Sequence, residues 1–309
     1  MSRARSPLPI DLVALVSFDG RVYPNQAKPW DRLGLNERAR PLEEAIEQWF
    51  SFATGRQTYV NVRGATIRGL ITARQRGKRS AWEVEVLIDA DDDKSVVSSL
   101  FTRVLSGIGK LRAERAFLRL EAGSDLARSA RDAGFFPYQT QTLYRFGRKP
   151  SAKPPDVRLR ARSKEDLFGI FQLYMHTVPA NVRAIEGATF REWQAALEPW
   201  GGRTSDLVLE EDGAITAWVR ALPGNAGRIA VVSGSRSAAY DDLISAGLAR
   251  LSRSEQVLAL VPEEEAGLAA GYERLGFEAA GSYRLMARRL TRNVAELVPE
   301  TAGTAVPVN

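Results

Sequence analysis

The chain lacks cysteine altogether, and it has a single histidine, His176, among its 309 residues. Without cysteine there can be no disulfide, no thiolate nucleophile and no cysteine-based metal site. One histidine argues against a serine–histidine–aspartate triad and against a multi-histidine zinc site. We therefore expect neither thiol chemistry nor a metal centre.

Long hydrophobic runs are also missing. The longest early one, residues 12–18, is flanked by Asp11 and Asp19 and is too short to span a membrane. Arg3 and Arg5 precede it, but the adjacent acid and the lack of a small-residue cleavage site argue against a signal peptide. We expect a cytoplasmic protein that does not bind membranes.

The charge excess is small and scattered. The net charge is +6, with 43 basic and 37 acidic residues interleaved along the chain. No basic run with interleaved aromatic residues suggests a nucleic-acid partner. The mild excess is typical of a solvated surface and would suit an anionic ligand such as a nucleotide cofactor.

What the sequence does contain is a repeat. Residues 131–149 and 271–289 both end a helix at Gly-Phe, and both place a Tyr-Arg pair in the strand that follows. Glycine at such a stop supplies positive φ without a Cβ clash, and the phenylalanine enters the core. Repetition about 140 residues apart predicts two copies of one domain.

The predicted domains are residues 1–148 and 157–291, joined by a proline-rich linker at 149–156 and followed by a flexible tail at 292–309. Hydrophobic periodicity predicts similar elements in each half. The first half is expected to have a strand at 10–18, a helix at 41–52, a hairpin at 59–74, a strand at 82–89, a helix at 94–110, a strand at 116–121, a helix at 125–133 and a strand at 138–146. The second is expected to have a strand at 157–161, helices at 165–178 and about 189–199, a hairpin at 206–222, a strand at 228–233, a helix at 238–252, a strand at 256–261, a helix at 265–275 and a strand at 281–289.

This order resembles the GNAT acyltransferase domain. The resemblance is carried by 272-YERLGFE-278 and the hairpin 209-LEEDGAITAWV-219, with weaker echoes in 131-RDAGFF-136 and 63-RGATIRGLI-71. It implies an α/β (α+β) fold of two tandem GNAT-like domains, each a mixed, mostly antiparallel sheet flanked by helices. It also implies acetyl-CoA as co-substrate, held between two splayed parallel strands, with its pyrophosphate at the next helix N-terminus.

The two halves differ at the implied pyrophosphate loop. The first half has 89-DADDDKSVV-97, where clustered aspartates oppose an anion. The second has 233-SGSRSAAYDD-242, although Tyr240 would crowd a phosphate there. By this resemblance the cofactor-binding residues are Val231, Val232, Ser233, Gly234, Arg236 and Ser237. A plain strand-to-helix turn of small residues is the alternative interpretation.

The resemblance also implies a general acid and a base. Tyr272 matches the family tyrosine that protonates the leaving thiolate, although its helical spacing suits a packing role equally. Glu83 and Glu85 share a face of one strand, and Glu83 is the predicted base. Glu210, Glu211 and His176 are alternatives. Residues of about 19–40 and 178–190 would shape the acceptor site.

Two functions stay open at this point. The first is an acetyl-CoA-dependent N-acyltransferase that acts on an unidentified small amine, with a catalytic second half and a supporting first half. The second is a non-catalytic protein that keeps the GNAT fold and binds a ligand or a protein partner in the cleft between the halves.

Overall fold

The structure is a computed structural model that describes residues 4–8, 23–34, 55–64, 66–78, 80–90, 92–150, 157–235 and 239–290. The predicted strand at 10–18, the predicted helix at 41–52, most of the predicted linker and the predicted tail at 292–309 lie outside these ranges.

From residue 55 onward, the described part of the first half has the predicted order of strands and helices. Its elements are β1 (Arg56–Arg63), β2 (Thr66–Gln75), β3 (Ala81–Asp89), α1 (Lys94–Lys110), β4 (Arg115–Glu121), α2 (Leu126–Asp132) and β5 (Phe136–Phe146). Helix α1 begins after Asp93, whose side chain accepts a hydrogen bond of 2.8 Å from the backbone N–H of Ser95. The predicted apolar face of α1 is buried: Val97, Leu100, Phe101, Val104 and Ile108.

The second half differs from the prediction at one helix. Its elements are β6 (Arg160–Ala161), α3 (Asp166–Thr177), α4 (Ala180–Glu186), α5 (Phe190–Ala196), β7 (Ser205–Glu211), β8 (Ala214–Leu222), β9 (Ala226–Ser233), α6 (Tyr240–Ala249), β10 (Gln256–Pro262), α7 (Ala266–Arg274) and β11 (Glu278–Arg289). The sequence predicts one helix after α3, at about 189–199, and this corresponds to α5, which Thr189 begins with a capping box. The structure has an additional helix before it, α4, which ends at Gly187.

The repeated Gly-Phe joints have the predicted conformation. Gly134 and Gly276 have φ of 83° and 89°. Phe135 and Phe277 are both buried in the core. Each Gly-Phe pair therefore has its predicted role, a glycine at positive φ that ends a helix and a phenylalanine that enters the core.

The strands form one sheet in the order β1-β2-β3-β4-β11-β5-β10-β9-β8-β7-β6. The last strand of each half has crossed to the other half. Strand β11 lies between β4 and β5 and pairs antiparallel with both. Strand β5 pairs on its other side with β10, also antiparallel. The predicted boundaries thus divide the chain into two successive halves, but the strands of both halves belong to one continuous sheet.

Helices cover both faces of the sheet. Helix α1 packs on one face of the first half, and α6 and α7 pack on a face of the second, each over its own hydrophobic cluster. Ala195 and Ala196 of α5 pack against Ala81 of β3 and Phe117 of β4, which belong to the first half. Helix α5 therefore joins the halves. No helix within the described ranges has the length and apolarity that crossing a membrane requires.

Candidate functional site

Each half contains a pair of parallel strands that diverge. Strands β3 and β4 pair only from Ala81 and Arg115 to Glu83 and Phe117. Strands β9 and β10 pair only as far as Ile229 and Ala259. Because all four strands continue beyond the end of their ladders, each pair encloses a wedge-shaped gap, here called the first gap and the second gap.

The chain itself fills the first gap. Backbone N–H groups of residues 25–28 bridge its two strands, since Gln26 donates to the carbonyl of Leu87 at 2.8 Å and Lys28 donates to the carbonyl of Arg119 at 2.9 Å. The side chain of Asn25 adds two bonds of 2.9 Å to β3, donating to the carbonyl of Glu85 and accepting from the N–H of Leu87. The first gap therefore offers no open strand edge here.

The second gap opens into a cavity of about 250 Å³. On the gap side it is lined by Ile229, Ala230 and Val232 of β9 and by Leu260 and Pro262 of β10. The ladder between these strands has ended by this point, so among the described residues the edge of β9 that faces β10 has no partner strand there. An extended molecule that offers alternating donors and acceptors could pair with it.

The predicted cofactor residues lie at and beyond this edge. Val231 faces the opposite hydrophobic core, as alternation along β9 requires, whereas Val232 lines the cavity. Ser233 ends the strand, and the N–H of Gly234 donates to the carbonyl of Thr216 at 2.9 Å. Arg236 and Ser237 lie outside the described residues. The described residues therefore fit a cofactor whose extended part lies along β9.

The start of α6 suits an anion less well. No side chain caps it, but Asp241 and Asp242 occupy its first turn, where they oppose a phosphate. The side chain of Tyr240, expected to crowd the phosphate, packs against α7 instead, with its ring at Gly267 and its Cβ at Gly271. Its hydroxyl donates to Glu265 at 3.3 Å.

Away from the gap, the cavity is bounded by aromatic side chains. Four of the six tryptophans line it: Trp30, Trp193, Trp200 and Trp218. Trp30 and Trp200 meet edge to face with ring centroids 5.7 Å apart. Arg220 lies over the rings of Trp200 and Trp218, 4.9 and 5.3 Å from their centroids. The walls are thus flat, apolar and held by their own contacts.

Glu186 is the last residue of α4 and lines this cavity. Tyr138 of β5 donates a hydrogen bond of 2.9 Å to its Oε1. Among the described residues it has no ion-pair partner. Burial raises the pKa of Glu186, and the charge of Arg76 and the bond from Tyr138 offset this only in part. A carboxylate with a raised pKa in a cavity has the properties of a general base.

The first half fixes the position of Glu186. Arg115 of β4 donates to the backbone carbonyls of Ile185 at 3.1 Å and Glu186 at 2.7 Å, which satisfies the end of α4. Gly187 then turns the chain with φ of 152°, and a Cβ there would lie 2.3 Å from the backbone nitrogen of Trp193. Only glycine permits this close approach of α4 and α5.

Glu198, the other acid of the cavity, is paired. Arg76 lies 3.0 Å away and Arg119 lies 2.8 Å away. Burial opposes the charged form, but the two arginines hold the pKa of Glu198 below its usual value. It is therefore a fixed negative charge and a poor base.

Tyr174 of α3 also lines the cavity, and its hydroxyl has no hydrogen-bond partner among the described residues. The side chain is 8% exposed. A buried hydroxyl without a partner costs about 1–3 kcal/mol. A ligand that donates a hydrogen bond here would remove that cost.

Glu83, the predicted base, is buried at 3% exposure and does not line the cavity. Its carboxylate is engaged by Arg74 at 2.6 Å and Arg76 at 3.2 Å. Burial raises its pKa, while these arginines lower it. Glu85 is buried too, paired with Arg56 at 2.6 Å. The alternative His176 is exposed on α3.

Tyr272, the predicted acid, lies on α7 as expected and is 1% exposed. Its ring stacks on Tyr144 at 6.1 Å and meets Phe277 edge to face at 4.8 Å. Burial raises its pKa, and among the described residues its hydroxyl has no partner. The ring thus packs in the core, and the acid role of its unsatisfied hydroxyl stays a prediction.

Sequence reasoning missed Glu186, Tyr174 and the tryptophan walls. The signal for helix α4 was present, because Pro179 before it and Gly187 after it are ordinary helix boundaries, but nothing in the sequence singled out Glu186. Both segments expected to shape the acceptor site do reach the cavity, through Trp30 and Glu186.

Solved structures share this architecture at low sequence identity. A GCN5-related N-acetyltransferase from Sphaerobacter thermophilus is 17% identical, with 93% of this chain and 95% of that chain covered and a TM-score of 0.53. A putative acetyltransferase from Pyrococcus horikoshii is 14% identical, with 94% and 89% covered and a TM-score of 0.54. A tandem GNAT protein from the clavulanic acid biosynthesis pathway is 14% identical, with 91% and 94% covered and a TM-score of 0.52.

No protein-family model matches the chain, and no curated protein sequence matches it. At the identities of the solved structures, the likeness concerns the fold. Each of the three matches extends over nearly all of both chains, so it includes both halves. The chain therefore has the fold of the GNAT N-acetyltransferases.

Proposed function

We propose that the protein is an acetyl-CoA-dependent N-acyltransferase acting on a small amine, with its reaction centre in the second half. One observation supports this above all. The second gap is continuous with a cavity lined by Glu186, whose carboxylate has no ion-pair partner in the described part of the chain, whereas residues 25–28 fill the first gap. The protein would then bind one cofactor per chain.

The cofactor would lie along β9. Its extended arm would pair with the open backbone edge near Val231 and Val232, and its pyrophosphate would meet the residues that follow the strand, among which the sequence has a positively charged Arg236. Acetyl-CoA supplies the thioester: its carbonyl carbon bonds to the amine nitrogen, and its sulfur leaves as the C–S bond breaks.

Glu186 would take the proton of the ammonium group and so generate the nucleophilic amine. Such a positioned base typically contributes about 10²–10⁴-fold to the rate. The nitrogen loses a second proton on forming the amide. Tyr272 would protonate the leaving thiolate, and the second proton would restore its hydroxyl, so that CoA leaves as the thiol and the one net proton passes from Glu186 to solvent. Glu83 would then act as a positioning residue, because it binds Arg76, which in turn holds Glu198 in the cavity wall.

The first half would support this reaction directly. It supplies Tyr138, which bonds Glu186, and Arg115, which holds the end of α4. It also supplies Arg76 and Arg119, which fix Glu198. The supporting role of the first half would thus be to hold the two acids of the cavity in place.

A non-catalytic, ligand-binding protein is the second candidate. The acidic first turn of α6 favours it, as does the engagement of the Gly234 N–H with Thr216, since both reduce the attraction for a pyrophosphate.

Calorimetric titration of acetyl-CoA into the full chain tests the proposal. We expect one site per chain, weakened at least about tenfold by Arg236→Glu. Arg250→Glu, at the exposed other end of α6, is the matched control and should leave the affinity unchanged. No binding at millimolar concentration would favour the second candidate, and two sites per chain would contradict the filled first gap.

A further inference from the structure

We infer that the cavity beside the second gap is the acceptor site and that it selects a small monocationic amine with a flat apolar body, whose ammonium group binds between Glu186 and Tyr174. This inference rests on the proposed function, because it names the substrate class of that reaction. Three independent features of the cavity carry it: its charge, its unsatisfied hydroxyl and its walls.

The charge of the described cavity residues is unbalanced at one place. Each arginine of the lining has an acidic partner: Arg76 pairs with Glu198, and Arg220 lies 3.0 Å from Asp206. Glu186 has no ion-pair partner among the described residues, and its hydrogen bond comes from the neutral hydroxyl of Tyr138. Arg76, already paired with Glu198, acts on Glu186 only through longer-range attraction. A cation would complete its pairing, whereas an anion would leave like charges together in a site of low dielectric.

Tyr174 marks the same region. Its buried hydroxyl lacks a hydrogen-bond partner among the described residues, and its oxygen can accept a bond from an ammonium N–H. Burial and, after it, the negative charge of Glu186 raise the pKa of Tyr174, while the charges of Arg183 and Arg115 lower it, so Glu186 lies within electrostatic range of this hydroxyl. They come from different helices, α3 and α4, and both line the cavity.

The walls select the body of the acceptor. Trp30, Trp193 and Trp200 offer flat surfaces, and Val178, Val182, Leu197 and Leu285 complete an apolar lining. The volume of about 250 Å³ is below the roughly 300–1,000 Å³ of typical ligand sites. Polyamines and acceptors with a carboxylate beside the amine would each bury a charge without a partner.

The test is a direct binding measurement on the full chain without an acyl donor. The probes are 2-phenylethylamine, 2-phenylethanol and 3-phenylpropanoate, which share a body and differ in charge. Tryptophan fluorescence reports binding, because four tryptophans line the cavity. We expect 2-phenylethylamine to bind at least about tenfold tighter than the alcohol, as a charge-assisted bond warrants, with the anion weakest.

Variants assign that preference to residues. Glu186→Gln should bring the affinity for 2-phenylethylamine down to that of the alcohol, and Glu278→Gln, an exposed carboxylate on β11, should change nothing. Tyr174→Phe removes only an unbonded hydroxyl, so it should fold, and it should weaken amine binding about two- to tenfold. Equal affinity for the three probes, or an unchanged preference in both variants, would overturn the inference.

The outcome is separable from that of the proposed function. Amine binding without any acetyl-CoA binding would refute the transferase and keep the cation site. Acetyl-CoA-dependent turnover of other amines, with no preference for 2-phenylethylamine over its alcohol, would refute the cation site and keep the transferase.

Discussion

Replacing Asn25 with alanine tests whether residues 25–28 are a structural part of the first half. The side chain makes three hydrogen bonds, two of 2.9 Å to the backbone of Glu85 and Leu87 and one of 3.1 Å to the N–H of Ala27. At a net 0.5–1.5 kcal/mol per bond, the loss of all three costs about 1.5–4.5 kcal/mol.

Urea unfolding followed by tryptophan fluorescence measures this loss. Gln26→Ala is the matched control, because Gln26 contributes its backbone N–H, which alanine keeps. We expect Asn25→Ala to lower the free energy of unfolding by about 1.5–4.5 kcal/mol and Gln26→Ala to lower it by less than about 0.5 kcal/mol.

Two results would refute this reasoning. A loss below about 1 kcal/mol for Asn25→Ala would mean that residues 25–28 leave the gap at little cost. Equal losses for both variants would mean that the side-chain bonds of Asn25 are not the cause. Acetyl-CoA stoichiometry of Asn25→Ala should remain one per chain, because the aspartates of residues 89–93 oppose a pyrophosphate even in an opened first gap.

Three further substitutions give distinct outcomes. Glu186→Gln should lower kcat/KM about 10²–10⁴-fold and yet raise stability at pH 8. Because the folded-state pKa of Glu186 is raised, the wild type loses stability as pH rises through that value, so thermal melts at pH 4 and pH 8 should show the gain only at pH 8. Tyr272→Phe should lower kcat at least about tenfold with acetyl-CoA affinity retained, and unchanged turnover would exclude its hydroxyl as the acid. Gly187→Ala should destabilise the protein by at least about 2 kcal/mol, measured in urea, because the new Cβ meets the backbone of Trp193 at 2.3 Å; a neutral result would contradict the close approach of α4 and α5.

Local chemistry made much of the fold predictable. The hairpin turn at Asp212 and Gly213 has the positive φ values, 52° and 78°, that an Asp-Gly pair favours. The helix stop at Gly276 follows from the same conformational freedom. Such signals depend on neighbours along the chain, so a single sequence contains them.

The exchange of β5 and β11 was not predictable from these signals. Both strands follow a Gly-Phe joint and carry a Tyr-Arg pair, so either could complete either half by pattern alone. The choice depends on long-range pairing, such as that between Leu285 of β11 and Arg119 of β4.

The candidate site was predictable only in outline. The second gap follows from the resemblance, but Glu83 was expected on a half-exposed strand and is buried among arginines that come from other elements. Glu186 was missed because its chemistry depends on Tyr138 and Arg115, about 50 and 70 residues earlier in the chain. Spacing along the sequence does not encode such contacts.

The exchanged strands make the halves mechanically inseparable. If the chain were cut within residues 151–156, β5 would still be held between β10 and β11, so the two fragments should co-purify until denatured. A fragment of the second half alone would expose the edge of β10 and would carry β11 without its native neighbours. Unpaired edges of this kind promote domain swapping and aggregation, so we expect the isolated second half to associate through the edge of β10.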